Sequence, residues 1–84
     1  MNEKSTGRVE GALSEGEYRV GVSFNPSNNP RVDAIKALAA RFIDELFSLS
    51  LERDHPGARC ASIAMTEMES AAMWAVKAVT KQPR

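Results

Sequence analysis

Residues 30–50, PRVDAIKALAARFIDELFSLS, decide the fold. Val32, Ile35, Ala39, Phe42, Leu46 and Leu49 recur at spacings of 3, 4, 3, 4 and 3, a seam along one side of an α-helix. Asn29 before Pro30 supplies its start. The Asn side chain can accept a free N–H of the first turn, and Pro lacks only an N–H that the turn leaves unused. From Pro30 to about Ser50 the helix is about 30 Å long at 1.5 Å per residue.

Working outward, Arg53-Asp54-His55-Pro56-Gly57 breaks this helix, and Asp54 or His55 is placed to cap the next one. The second helix is expected from about Pro56 to Lys81. Its stripe is Ala61, Met65, Met68, Ala72, Ala75 and Val79, spaced 4, 3, 4, 3 and 4. A connection this short turns the second helix back on the first. Upstream, Asn25-Pro26-Ser27-Asn28-Asn29-Pro30 is loop chemistry. Tyr18, Val20, Val22 and Phe24 alternate with other residues, a strand period too short for a sheet, and read as an extended arm. Residues 1 to about 17 are polar, carry Gly7, Gly11 and Gly16, and are expected to be a mobile arm. The fold class is therefore all-α: an antiparallel two-helix hairpin over 18–84, with an irregular N-terminal arm over 1–17.

Composition bounds the function. Eighty-four residues make one domain with a thin core. Eleven Lys+Arg against eleven Asp+Glu exclude a polybasic nucleic-acid coat, so no DNA or RNA duplex is expected as partner. The one cysteine, Cys60, excludes an internal disulfide and a cysteine-cluster zinc site, and suits a reducing cytoplasm. The N-terminal stretch has no apolar h-region and no run of 18 apolar residues occurs, so neither signal peptide nor membrane span is expected.

Apolar side chains are left over once the seam is filled. Leu38, Ile43 and Phe47 lie outside it, and residues 71–76, AAMWAV, are apolar nearly all round. Burying one such Leu, Ile or Phe contributes roughly 1.5–3 kcal/mol, so a second copy covering this surface is the expected outcome and the chain should form a helical oligomer.

No catalytic constellation can be assembled. His55, the only histidine, sits in a Pro/Gly turn as a cap or in solvent, and Cys60 has no histidine on its face. Glu67 and Glu69 are two apart and point to different faces, so they form neither an acid/base dyad nor a metal site. The chain is read as a non-enzyme with no cofactor or metal. Anion binding is easier to build. Arg59, Ser62 and Thr66 make one polar ridge early in the second helix, either a solvated surface or a phosphate-binding one. Lys36 falls near the end of the second turn of the first helix, and Phe24, before the loop, can stack on a base.

Residues 18–46, YRVGVSFNPSNNPRVDAIKALAARFIDEL, followed by residues 59–80, RCASIAMTEMESAAMWAVKAVT, resemble small phage proteins that sequester immune signalling nucleotides. These are the anti-CBASS cyclic-nucleotide sponge and the related hairpin region of the anti-Thoeris sponge. The likeness covers about residues 18–81 and rests on an aromatic–x–Pro loop leading into AIK, on Arg59 followed by Thr66, and on the Ala-Met-Trp-Ala run at 72–75. It implies helical hairpins assembled as homohexamers that hold cyclic dinucleotides between protomers, some members also taking cyclic trinucleotides at a separate site. The signal is withheld without degradation, in the cytoplasm of the infected bacterial host. By position, Phe24 stands where the family has a base-stacking aromatic, usually tyrosine, and Lys36 where a lysine contacts the nucleotide. Asn25 and Pro26 belong to the same loop, and Arg59, Ser62 and Thr66 match the start of the pocket-lining second helix. Phe24 lacks the tyrosine hydroxyl. Two alternatives stay open: a sponge for cyclic ADP-ribose isomers, as in the anti-Thoeris branch, and a purely structural or protein-interaction oligomer.

Overall fold

The structure, a computed structural model, describes residues 12–84. Three helices follow in order: α1 (Glu15–Val20), α2 (Pro30–Ser50) and α3 (Ala58–Thr80). The described residues contain no strand. Helix α2 has the expected bounds and cap: the Asn29 side chain accepts from the Arg31 N–H at 2.9 Å, with Pro30 in the first turn. The two long helices pack on each other, and α1 packs mainly on α2. Asn29 Nδ2 also donates to the Val79 carbonyl at 3.1 Å, tying the start of α2 to the last turn of α3.

The extended reading of Tyr18–Phe24 is overturned. Residues 15–20 are helical, so the N-terminal region is not irregular there, and the short helix crosses the expected 17/18 boundary. Ser14 and Glu17 form a capping box: Ser14 Oγ accepts from Glu17 N at 3.1 Å, and Glu17 Oε1 accepts from Ser14 N at 3.0 Å. Gly21, at φ 64°, ends the helix in the left-handed conformation that glycine adopts without penalty. These two caps outweigh the four-residue alternation that suggested a strand. The expectation of a mobile arm over residues 1–11 lies outside the described residues.

Helix α1 lies against α2 at one close point. Gly16 is buried beside the Ala40 backbone, with no room for a Cβ. Its N–H donates to Asp44 Oδ1 at 2.7 Å. Ile43, on the same face of α2, is fully buried. One of the three apolar side chains left over from the seam is thus covered within the chain. Leu38 remains exposed and Phe47 is half-buried.

The core is otherwise close to the expected stripes. Val32 and Ala39 are buried on α2, and Ala61, Met65 and Ala72 on α3. Phe42 departs from the seam and is 42% exposed. Helix α3 starts two residues later than expected, at Ala58. Neither Asp54 nor His55 caps it; its N-cap, Gly57, has no side-chain capping bond, and His55 Nδ1 instead accepts from Gly57 N–H at 2.9 Å within the turn. No helix among the described residues is long and apolar enough to cross a membrane.

Candidate functional site

The Asn-Pro loop is built from its own side chains. Asn25 Nδ2 donates to the Asn29 carbonyl (2.9 Å) and to Asp33 Oδ1 (3.0 Å), while Asn25 Oδ1 accepts from Ser27 Oγ at 2.7 Å. Ser27 Oγ in turn accepts from the Asn29 N–H at 3.2 Å. Asn28 takes φ 57°, a conformation asparagine tolerates better than most residues. The loop is therefore held in one shape, with the Asn25 amide committed to holding it.

Lys36 anchors this loop to α2. It is 8% exposed, and its Nζ donates to the carbonyls of Gly21, at 3.0 Å, and Phe24. The same ammonium lies 5.3 Å from the Phe24 ring centroid, within cation–π range. An ammonium has three N–H donors, so two carbonyls leave one for another acceptor. Phe24 is 69% exposed although its backbone is clamped. The ring stands in solvent as an exposed apolar plate on an anchored backbone.

Two hollows flank that plate. One, of about 220 Å³, is lined by Phe24, Asn25, Pro26, Lys36, Val76 and Thr80, among others. The other, of about 470 Å³, runs between α1 and α3; Phe24 and Lys36 line it with Tyr18, Arg19, Glu69 and Met73, among others. The structure thus brings Phe24, Asn25, Pro26 and Lys36 together, four of the seven residues singled out from the sequence.

Arg59, Ser62 and Thr66 form a separate group. All three are exposed and line a shallow hollow of about 290 Å³ with Ile63 and Glu67. Arg59 lies 17 residues before Val76 on the same helix, about 25 Å along the axis. Within one chain, Lys36 and Arg59 are therefore not brought near one another. Glu67 and Glu69 divide in the same way: Glu67 faces the Arg59 hollow, and Glu69 the Phe24 groove.

Tyr18, Arg19 and Glu69 were not legible as site residues. Tyr18 and Arg19 reach the groove only because α1 is a helix, and Glu69 because it shares a ridge with Ala72, Met73 and Val76. The Ser14–Glu17 capping box was the available signal for α1. No group of three or more His, Cys, Asp or Glu suited to a metal ion occurs among the described residues.

Neither a curated protein nor a solved structure matches this chain. The family model described as "Acb2/Tad1, hairpin domain" matches residues 16–80, a span that takes in all of α2 and α3, the Asn-Pro loop and most of α1. The chain belongs to the Acb2/Tad1 hairpin-domain family.

Proposed function

We propose that this protein is a phage immune-evasion sponge: it binds cyclic nucleotide second messengers of bacterial anti-phage signalling, cyclic dinucleotides first, and withholds them intact. The observation that carries the reading is the Phe24 plate, exposed but clamped through Lys36, in a chain of this family. A stacking surface fixed before the ligand arrives loses little ordering entropy on binding. Base stacking on an aromatic contributes about 1–3 kcal/mol per base. A charge-assisted hydrogen bond adds about 1.5–3 kcal/mol. Two stacked bases and several such bonds reach the −12 kcal/mol or so of nanomolar capture.

Assembly completes the pocket in this reading. Helices α2 and α3 run antiparallel, as the Asn29–Val79 bond supports, and copies associate through the exposed Leu38, Phe42 and Trp74 surface, as a homohexamer in the family's manner. A chain with no net charge holds phosphates with a few placed cations. Lys36 serves from one copy, and Arg59, with Ser62 and Thr66, reaches the ligand from another. The protein acts in the cytoplasm of the infected host, and no bond of the ligand is broken.

Calorimetric titration with cyclic GMP–AMP and cyclic di-AMP tests this proposal. Saturable heat at micromolar protein is expected, with the ligand recovered unchanged after heat release. A linearised product would establish catalysis instead. Binding of cyclic ADP-ribose isomers alone would place the chain with the anti-Thoeris type. The exposed apolar surface favours one second reading, a purely structural oligomer, which predicts assembly with no heat from any of these ligands.

A further inference from the structure

Glu69 is half-buried in the groove that also contains Phe24 and Lys36. Its carboxylate has no hydrogen-bond or ion-pair partner among the described residues. Neither nearby cation pairs with it: Arg19 Nε pairs with Glu15 at 2.9 Å while its Nη1 is buried without a partner, and Lys36 Nζ holds two carbonyls with one N–H left over. Along its own ridge Glu69 meets Ala72, Met73 and Val76, which offer no side-chain donor. A carboxylate partly withdrawn from water beside apolar side chains gains from any pair of N–H donors brought to it.

We propose that Glu69 reads the edge of a base stacked on Phe24, selecting guanine over adenine. This inference rests on the sponge reading and names the ligand preference of that site. An ionised carboxylate only accepts, through two oxygens side by side. Guanine offers N1–H and N2–H side by side, so one edge satisfies both oxygens. Adenine offers N6–H beside the N1 lone pair, which sets an acceptor against an acceptor. A carboxamide reverses the match: the Gln oxygen accepts from N6–H while its NH₂ donates to N1. Glu69→Gln therefore changes the hydrogen-bond pattern while keeping the shape of the side chain.

The test is calorimetric titration of the full chain and of Glu69→Gln with cyclic di-GMP and cyclic di-AMP, with circular dichroism confirming equal folding. The wild type should bind cyclic di-GMP about tenfold more tightly or better, in line with the discrimination of a bidentate base contact. Glu69→Gln should abolish or invert that preference, an inversion that a merely structural role would not produce. Equal wild-type affinities, or a preference unchanged by Glu69→Gln, would overturn the Glu69 assignment and leave the sponge reading standing. No binding of either ligand to the folded wild type would overturn the Glu69 assignment, and the sponge reading would fall with it only if cyclic GMP–AMP and cyclic ADP-ribose isomers also failed to bind.

Discussion

Lys36 holds Phe24 by backbone and ring together: its Nζ donates to the Phe24 carbonyl and lies 5.3 Å from the ring centroid. The residue that the family resemblance makes a nucleotide contact is thus also the clasp of the loop presenting the aromatic. A phosphate near Lys36 would take the ammonium's remaining N–H and need not release the clasp.

Lys36→Met keeps an apolar stem but leaves the Gly21 and Phe24 carbonyls without this donor. Stability should fall by about 1.5–3 kcal/mol or more, the scale of one hydrogen bond to a charged group. Affinity for a cyclic dinucleotide should fall at least tenfold. Urea unfolding and calorimetry check the two effects separately, and wild-type affinity in the variant would remove Lys36 from the site.

Arg59→Ala makes the complementary case. The side chain is exposed and has no ion-pair partner among the described residues, so stability should stay within about 0.5 kcal/mol of wild type. Affinity should nonetheless drop tenfold or more, because in the proposed pocket the guanidinium reaches the ligand from a second copy. Unchanged affinity would assign the Arg59, Ser62 and Thr66 ridge to ordinary solvated surface.

Gly16→Ala probes the seat of α1. A Cβ there collides with the backbone of Ala40, which cannot rotate away as a side chain can. Destabilisation of about 1–3 kcal/mol is expected, the usual cost of overpacking. Since α1 carries Tyr18 and Arg19 into the larger hollow, ligand affinity should fall as well. Thermal unfolding with and without ligand measures both.

Asn29→Ala removes a cap and a tether at once. Loss of an N-cap side chain costs typically about 1 kcal/mol. The bond to Val79 is lost with it, so amide exchange should quicken in the last turn of α3 as well as the first turn of α2. Exchange confined to α2 would show that the tether contributes nothing.

How much of this was legible in the sequence depended on length and on charge. Helix α2 could be read end to end because its 21 residues repeat the heptad three times and open on Asn29-Pro30. Six residues of α1 hold too few apolar positions to separate a helix from a strand, and only its caps, Ser14 with Glu17 and then Gly21, carry the distinction. Ile43 looked like surplus because the helix that packs over its face of α2 had not been identified. Lys36 lies between seam positions and reads from the sequence as a ligand contact; burial of its stem depends on carbonyls 12 and 15 residues away, which no local pattern encodes. For the site, Phe24 and its loop could be read from local chemistry, whereas Glu69 required the tertiary placement of α1 and α3.

Leu38→Glu tests the apolar surface. Leu38 is 59% exposed and lines an open hollow with Phe42, Ala71 and Ala75. A charge there should shift the assembly toward monomer in light scattering and weaken ligand capture in parallel. An unaltered oligomer would take Leu38 and Phe42 out of the interface and leave it to the Trp74 part of the surface.

Native mass spectrometry of the protein mixed with cyclic di- and trinucleotides tests the central proposal most directly, since it weighs the assembly and its cargo together. The expected spectrum is a multi-chain assembly carrying cyclic nucleotide of unaltered mass in a fixed ratio to subunits. A spectrum of bare single chains at 9.2 kDa, with every offered nucleotide left free, would contradict it.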